Sequence, residues 1–288
     1  MLRELPSITI VTGILDLGRG AIDGWGRRPY AFYTTSLTRL MRRYRDIPMV
    51  LHLAPEDEPL VWNSRKHENT QVVPVTLEAL RAMPYSRRVE AIRTSTRWVE
   101  IADWLRDSPQ RMLEGYLPFV LAKPYWLRDA ASSNPFRTDH FVWMDGGLPD
   151  NRTYAHLSRP NFLRRMDLSG FGVMCVPYTS NEEIHGFDRK ACARYCGTDY
   201  VSWIVRGGLF GGTPAAIERV AELYTALMDD TLAQGHLGTE ETLLTILAHR
   251  HPDLIRRRML SRVSLRLRTL SGAAVSIARK LRTESGDA

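Results

Sequence analysis

Cysteines and long apolar runs are both scarce in this chain of 288 residues. No stretch reaches the ~18 uninterrupted apolar residues that a membrane-spanning helix needs, and the first residues lack the basic start and apolar core of a signal peptide. Three cysteines cannot build a disulfide framework. Cys192 and Cys196, even together with His185, provide fewer ligands than a structural zinc site uses. The sequence therefore predicts a globular protein of the cytoplasm.

Acidic residues are missing from residues 256–282, where nine arginines and lysines lie. The formal net charge of +7 comes from this segment, and the rest of the chain is slightly acidic. A nucleic-acid-binding protein would spread its cations over one face, together with aromatic residues that stack on bases. The rest of the chain has no such stripe, so we expect no nucleic-acid partner.

The same basic segment has a helical pattern of apolar residues. They recur at spacings of three and four between arginines, at Leu260, Val263, Leu267, Leu270, Ala274, Ile277 and Leu281. A helix of this kind can dock on the protein's own body, pair with a second copy as a coiled coil, or lie on an anionic bilayer. The stripe lacks the acidic partners that a coiled coil would need. We therefore expect residues 256–288 to be a basic amphipathic tail at the inner face of the membrane.

Apolar, β-branched segments alternate with helical patterns along residues 1–255. The predicted strands are residues 8–11, 49–53, 71–75, 141–144, 172–177 and 200–205. The predicted helices are residues 30–44, a series of pieces cut by prolines between 76 and 130, and residues 214–232 and 240–249. This alternation predicts an α/β fold, with a mixed, mostly parallel sheet flanked by helices in one domain. The crevice at the carboxyl ends of its strands is the expected ligand site.

One short stretch, FVWMDGGL at residues 141–148, ends an apolar strand with a carboxylate and two glycines. Asp145 would lie at the carboxyl edge of the sheet, where it could hold a divalent cation that bridges phosphate oxygens. Gly146 and Gly147 would let a ligand approach the backbone. The alternative is that Asp145 caps a turn in which the glycines adopt positive φ angles. Residue type alone leaves both interpretations open.

A second glycine-rich stretch, RGGLFGGTP at residues 206–214, lies between a predicted strand and a predicted helix. We expect a loop that exposes its backbone to a substrate through Gly207, Gly208, Gly211 and Gly212. The stretch GTEET follows one helix later, with Thr239 as the expected helix cap and with Glu240 and Glu241 in the first turn. These acids have either a catalytic role or only a favourable interaction with the positive end of the helix.

Together with VTGILDLGRG at residues 11–20, these stretches resemble the bacterial HtrL/YibB-like family, which is grouped with glycosyltransferases of the GT-A fold. The resemblance spans residues 7–255. The segment from LFGGTP to TEETLL is also similar to the α-1,3-galactosyl and blood-group transferases. That similarity implies that Glu241 is the catalytic acid and that Glu240 matches the acid before it. Asp145 matches the first acid of the metal-binding DxD motif, whose last acid is replaced by Gly147.

The resemblance also implies where a nucleotide sugar would bind. The donor site would combine the end of the first strand, a lysine on the segment before the next strand of the site, and the stretch around Asp145. Its expected residues are Thr12, Gly13, Asp16, Arg19, Lys123, Asp145, Gly146 and Gly147. A Mn or Mg ion would be held by Asp145, either alone or with Asp150. The alternative is that Arg and Lys side chains neutralise the diphosphate.

The function that the resemblance implies is transfer of a hexose-like sugar from a nucleotide diphosphate to a hydroxyl group of a glycan or lipid-linked acceptor. The reaction would belong to cell-surface polysaccharide synthesis. The resemblance favours retention of configuration, with Glu241 as nucleophile or ion stabiliser at the anomeric carbon. The alternative is inversion, with Glu241 as general base. The alternative is a sugar-nucleotide-binding protein without turnover that regulates or scaffolds the assembly of surface glycans. An anionic membrane surface would be a further partner, through residues 256–282.

Overall fold

A computed structural model describes residues 7–22, 28–179 and 182–260 of the chain. Its strands are Ile8–Gly13 (β1), Met49–Leu53 (β2), Thr70–Pro74 (β3), His140–Met144 (β4), Phe171–Pro177 (β5), Glu183–Ile184 (β6), Phe187–Asp188 (β7), Trp203–Gly212 (β8) and Ile255–Met259 (β9). Its α-helices are Tyr30–Arg43 (α1), Glu58–Trp62 (α2), Leu77–Arg81 (α3), Ser86–Arg93 (α4), Thr96–Val99 (α5), Pro109–Met112 (α6), Tyr116–Ser133 (α7), Pro160–Leu163 (α8), Arg189–Cys196 (α9), Pro214–Ala233 (α10) and Glu240–Arg250 (α11).

The central sheet has the strand order β3-β2-β1-β4-β8-β5-β9. β1 is parallel to β2 and β4, β2 is parallel to β3, and β5 is parallel to β9, whereas β8 is antiparallel to both β4 and β5. β6 and β7 form a separate two-stranded ribbon. The predicted α/β class, with a mixed, mostly parallel sheet flanked by helices in a single domain, is confirmed.

The path of the chain across the sheet changes direction between β1 and β4. From β1 the chain proceeds outward through β2 to β3, and it then returns to place β4 on the other side of β1. In open α/β sheets, ligands collect outside the carboxyl ends of the strands at such a point. Here those ends lead into residues 14–19 after β1 and into Asp145 after β4.

The two inner parallel strands β1 and β2 are mostly apolar because both are fully buried. All residues of β1 and β2 are buried, as is typical of parallel strands covered on both faces. α1 contributes Leu37, Leu40 and Met41 to the same core. α7 continues through Pro118 and Pro124 for 18 residues, although the sequence predicted that prolines would divide this region. Packing of α7 against α10 and β4 offsets the hydrogen bond that Pro124 cannot donate.

The sequence predicted a loop at residues 206–214. In the structure, most of this glycine-rich stretch belongs to strand β8. Gly211 and Gly212 lie where β4 and β5 approach β8 from its two sides. A Cβ atom on Gly211 would overlap the carbonyl oxygen of Phe141, and one on Gly212 would overlap that of Gly170. These two glycines permit close strand packing, and they do not line the cavity described below.

The last described residues also belong to the sheet. Residues 256–259 continue edge strand β9 beside β5, where the sequence predicted the start of an amphipathic tail. The Cζ atom of Arg257 lies 4.6 Å from the ring centre of Trp203, and that of Arg258 lies 4.7 Å from the ring centre of Phe162. The rest of the predicted tail, from residue 261, lies outside the described residues. No helix in the described ranges is long and apolar enough to cross a membrane.

Candidate active site

A cavity of about 310 Å³ opens at the carboxyl ends of β1 and β4. The loop after β1, α7 and the first turn of α11 form its other walls. Most residues predicted for the site line it, namely Gly13, Asp16, Arg19, Lys123, Asp145, Gly146, Gly147, Gly208, Glu240 and Glu241. Thr12 is fully buried within β1 and does not line this cavity. The fold thus brings the acids at positions 145, 240 and 241 to one place.

Lys123, Asp145 and Glu240 form a group that we call the lysine cluster. The Nζ atom of Lys123 lies 2.9 Å from Oδ1 of Asp145 and 2.7 Å from Oε1 of Glu240. The Nε1 atom of Trp143 donates a hydrogen bond of 2.7 Å to the same oxygen of Asp145. Lys123 and Glu240 are buried, whereas the side chain of Asp145 keeps 35% of its surface exposed. The most accessible carboxylate of the cluster is therefore that of Asp145.

Three elements position the lysine cluster. Lys123 comes from α7, Asp145 directly follows β4, and Glu240 begins α11. The backbone N–H of Asp145 donates to the carbonyl oxygen of Gly208 at 3.0 Å, so β8 fixes the first residue beyond β4. Thr239 precedes α11, but its side chain makes no capping hydrogen bond, contrary to the prediction. Tertiary contacts therefore hold the start of α11 in place of the expected local cap.

Burial and neighbouring charges set the protonation of the lysine cluster. Burial by itself would lower the pKa of Lys123, but the carboxylates of Asp145 and Glu240 outweigh it and hold that pKa above its usual range. Burial raises the pKa of Glu240 to about 7. Repulsion from Glu241 and Asp145 also raises this pKa, and the attraction of Lys123 lowers it by less than the other effects raise it. Lys123 is therefore a permanent cation, and Glu240 exchanges its proton near neutral pH.

Glu241 belongs to a second group, the arginine cluster, which also contains Arg206, His185 and the N–H of Gly207. The Nη1 atom of Arg206 lies 2.9 Å from Oε2 of Glu241, and Nε2 of His185 lies 3.0 Å from the same oxygen. Gly207 donates its N–H to Oε1 at 2.7 Å. Burial would raise the pKa of Glu241, but these three groups outweigh it and hold that pKa below its usual value. Glu241 is thus an ionised, buried carboxylate.

An irregularity in β8 places Arg206 and Gly207 beside α11. The register of β8 against β5 shifts near the middle of the strand, so that residues 207–209 bulge out of the pairing. A Cβ atom on Gly207 would overlap Oε1 of Glu240 and would lie 3.1 Å from Cγ of Glu241. A glycine at this point therefore lets the bulge bring its N–H to the buried carboxylate.

The two glycines after Asp145 provide space. Neither Gly146 nor Gly147 has a positive φ angle, so the interpretation as a turn that needs such angles is wrong. A Cβ atom on Gly146 would lie 2.7 Å from Cγ2 of Ile14, and one on Gly147 would lie 3.1 Å from the ring of Tyr33. The glycines thus allow the end of β4 to pack closely against the loop after β1 and against α1.

The loop after β1 contributes a turn and a cation to the cavity wall. Oδ1 of Asp16 accepts the N–H of Gly18 at 2.9 Å, and Gly18 has a φ angle of 75°. Asp16 therefore shapes the turn. Arg19 donates to the hydroxyl group of Tyr33 at 3.0 Å, and its Cζ atom lies 6.0 Å from the ring centre of Tyr116. Arg19 is held against two tyrosines and adds a positive charge to the wall.

Three further residues of this site were not predicted from the sequence, namely Arg206, His185 and Trp143. Arg206 begins the glycine-rich stretch, and Trp143 lies within FVWMDGGL. Their closeness to predicted residues is the signal that could have identified them. His185 lies in the turn between β6 and β7 with a φ angle of 51°. Its approach to Glu241 depends on where the ribbon packs, which no local pattern reveals.

The described side chains do not provide a ligand set for the Mn or Mg ion that the resemblance implies. Within the described ranges, no three His, Cys, Asp or Glu side chains come close enough together to hold a metal ion. Oδ1 of Asp145 is already engaged by Lys123 and Trp143. Asp150, the second predicted ligand, pairs with Arg39 and does not line the cavity. The carboxylates of Asp145 and Glu240 therefore fit an ammonium group better than a divalent cation.

Comparison with known proteins identifies the family of the chain. A sequence model of HtrL/YibB, described as a bacterial protein of unknown function, matches residues 6–260. Because the match covers most of the chain, the protein belongs to this family, as the motifs predicted. A search of curated proteins found no significant match.

Proposed function

We propose that this member of the HtrL/YibB family is a glycosyltransferase with a GT-A-like fold. It would move a hexose-like sugar from a nucleotide diphosphate to a hydroxyl group of a glycan or lipid-linked acceptor. The observation that carries the proposal is that the ionised, buried carboxylate of Glu241 and the lysine cluster line the same cavity. The cavity therefore offers a fixed anion and a fixed cation to one substrate.

The proposed reaction needs both charges. Cleavage of the bond between sugar and phosphate creates positive charge on the anomeric carbon, and the leaving diphosphate becomes more negative. The acceptor oxygen forms the new bond to that carbon, and its proton passes to the leaving diphosphate. Glu241 would stabilise the positive charge, and Lys123 and Arg19 would stabilise the leaving group. Because hydrogen bonds and ion pairs hold these side chains before the substrate binds, little reorganisation would be needed during the reaction.

The hydrogen bonds of Glu241 favour one role among those that a carboxylate can have in glycosyl transfer. A general base works best with a pKa near the working pH, whereas Arg206, His185 and the N–H of Gly207 lower the pKa of Glu241. A carboxylate of low basicity is better suited to stabilise a cationic anomeric carbon. We therefore favour a retaining reaction, in which Glu241 lies beside that carbon and Glu240 orients Lys123.

A donor screen tests the catalytic proposal. The protein is incubated with a panel of nucleotide sugars and sugar acceptors, and release of the nucleoside diphosphate is measured. Glu241→Gln keeps the size of the side chain but removes its charge, so we expect release about 100- to 1,000-fold slower at unchanged donor affinity. Glu222→Gln is the matched control, because Glu222 lies in an exposed ion pair with Arg219.

Two outcomes would count against catalysis by Glu241. Wild-type rates in the Glu241→Gln variant would contradict the proposed mechanism. Donor binding by the wild-type protein without turnover of any acceptor would favour the alternative, a sugar-nucleotide-binding protein that regulates or scaffolds surface-glycan assembly.

A peripheral position at the cytoplasmic face of the membrane is part of the proposal, because acceptors for surface polysaccharide are often lipid-linked. It is motivated by the arginines of residues 256–282, most of which lie outside the described residues. A truncation after Leu260 keeps β9 in the sheet and removes the remaining basic residues. The full chain should float with anionic vesicles and the truncated chain should not. Equal flotation of both would reject a role for the tail.

A further inference from the structure

The lysine cluster occupies the place where the resemblance implies a divalent cation. Asp145 matches the first acid of the metal-binding motif, and its Oδ1 atom lies 2.9 Å from Nζ of Lys123. The same ammonium group lies 2.7 Å from Oε1 of Glu240. A positive charge that belongs to the chain itself therefore already lies between the two carboxylates.

The surroundings of Lys123 hold this ammonium group in one position. Its side chain is only 7% exposed, and Nζ lies 5.8 Å from the ring centre of Trp143, whose Nε1 atom also binds Asp145. An ammonium group has three N–H donors, and the carboxylates of Asp145 and Glu240 accept two of them. Lys123 lines the cavity, so one N–H remains for an oxygen atom of a ligand.

The carboxylates of the cluster make the charge of Lys123 necessary for anion binding. Without the ammonium group, Asp145 and Glu240 would repel a phosphate group that entered the cavity. With the ammonium group in place, Lys123 can donate its third N–H to a phosphate oxygen in a charge-assisted hydrogen bond. Arg19 lines the same cavity and adds a further positive charge, whereas the charge of Arg206 is paired with that of Glu241.

We propose that Lys123 takes the place of a metal ion, so that the cavity binds the diphosphate of its nucleotide ligand without a divalent cation. The identity of the anion rests on the proposed function, and the position of the cation rests on the contacts of Lys123. The ligand class is thus a nucleoside diphosphate that is free of metal.

Calorimetry with adenosine, guanosine, uridine and thymidine diphosphates tests this inference. Each titration is done once with a metal chelator and once with Mg²⁺ or Mn²⁺. The wild-type protein should bind its preferred diphosphate in the chelator about as tightly as with the metal ions, because the cation that the phosphates need is part of the chain.

Two variants assign the effect to Lys123. Removal of Lys123 alone would leave two carboxylates without their cation and endanger folding, so Lys123→Met is combined with Glu240→Gln. This double variant should bind the diphosphate about 10- to 100-fold more weakly in the chelator, the loss expected for one hydrogen bond to a charged group. The single variant Glu240→Gln is the reference for this comparison, because it differs from the double variant only at position 123, and thermal unfolding confirms that both are folded.

The outcomes separate this inference from the proposed function. Binding that appears only after Mg²⁺ or Mn²⁺ is added would overturn the inference and leave the transferase proposal standing. Undiminished binding by the folded double variant would also overturn it. If no nucleoside diphosphate binds under either condition, the inference fails together with the donor class of the proposed function.

Discussion

Glu240 and Glu241 are adjacent in the first turn of α11 and both are buried, but they belong to different clusters. In the lysine cluster, Glu240 shares its one cation with Asp145 and lies near a second glutamate, and its pKa rises to about 7. In the arginine cluster, Glu241 has a guanidinium group, an imidazole ring and a backbone N–H, and its pKa falls. Equal burial therefore does not fix the ionisation of a carboxylate. The partners available to each acid decide it.

The largest expected difference between the clusters is in stability. Lys123→Met should lower the free energy of unfolding by about 3 to 5 kcal/mol, because it leaves the buried carboxylate of Glu240 and the partly exposed one of Asp145 without their cation. Arg206→Met should cost less, because the side chain of Arg206 is 27% exposed and Glu241 keeps its other two contacts. Urea denaturation measures both. Arg219→Met, in an exposed ion pair, controls for the loss of one positive charge. Equal losses at positions 123 and 206 would show that the clusters depend on their cations to the same degree.

Gly207 lies between the two clusters, so its replacement should disturb both. The Cβ atom of Gly207→Ala would overlap Oε1 of Glu240, and we expect a destabilisation of about 1 to 3 kcal/mol. Gly208→Ala is the matched control, because its Cβ atom would lie 3.5 Å from Leu148 and 3.6 Å from Asp145, which is ordinary contact. Thermal unfolding of the two variants compares them. If they are equally stable, the bulge in β8 does not constrain the clusters.

The pH dependence of stability should distinguish Glu240 from its neighbour. The pKa of Glu240 is near 4.5 in the unfolded chain and about 7 in the folded chain, so the folded state binds more protons in this range. Its contribution to the free energy of unfolding therefore falls as pH rises from 5 to 7, by roughly 1 to 2 kcal/mol. Glu240→Gln should remove this fall.

The measured quantity is the difference between the wild-type and Glu240→Gln stabilities at each pH. Buried histidines make the free energy of unfolding rise with pH, which is the opposite of the effect of Glu240. Burial lowers the pKa of His52 to about 3, so the unfolded chain binds more protons than the folded chain. They contribute equally to both proteins and cancel. A constant difference from pH 5 to 7 would mean that Glu240 does not exchange its proton in this range.

The smallest expected effect separates charge from shape in the arginine cluster. Arg206→Lys keeps a positive charge near Glu241 but loses the planar guanidinium group, whose Cζ atom lies 5.2 Å from the ring centre of Tyr154. We expect a loss of about 0.5 to 1 kcal/mol in urea denaturation. The pH dependence that belongs to Glu240 should not change, because the lysine cluster is untouched. A loss as large as that of Arg206→Met would mean that shape, more than charge, holds Glu241.

Much of the fold could be predicted because its signals are local. β1 and β2 are mostly apolar, and every residue in them is buried. The start of α10 follows from Thr213 and Pro214, since the Thr213 side chain accepts the N–H of Ala216 at 3.3 Å. Such patterns depend on residues a few positions apart, so sequence alone reveals them.

β8 shows where local patterns mislead. Its four glycines are typical of a loop, because glycine is a weak strand former. Gly211 and Gly212 are required by the backbones of β4 and β5 on the two sides of β8. Gly207 is required by the glutamates of α11. None of these neighbours is close in sequence, so the reason for the glycines could not be predicted from the stretch itself.

The sequence by itself determined that an acid follows a buried strand at Asp145 and that two acids begin a helix at Glu240 and Glu241, because strand and helix patterns are local. Only the tertiary structure decided that Lys123 reaches two of these acids and that Arg206 holds the third. Lys123 and Glu240 are 117 positions apart in the chain, yet their charged atoms lie 2.7 Å apart. Electrostatic interactions depend on distance in space, and folding alone sets that distance.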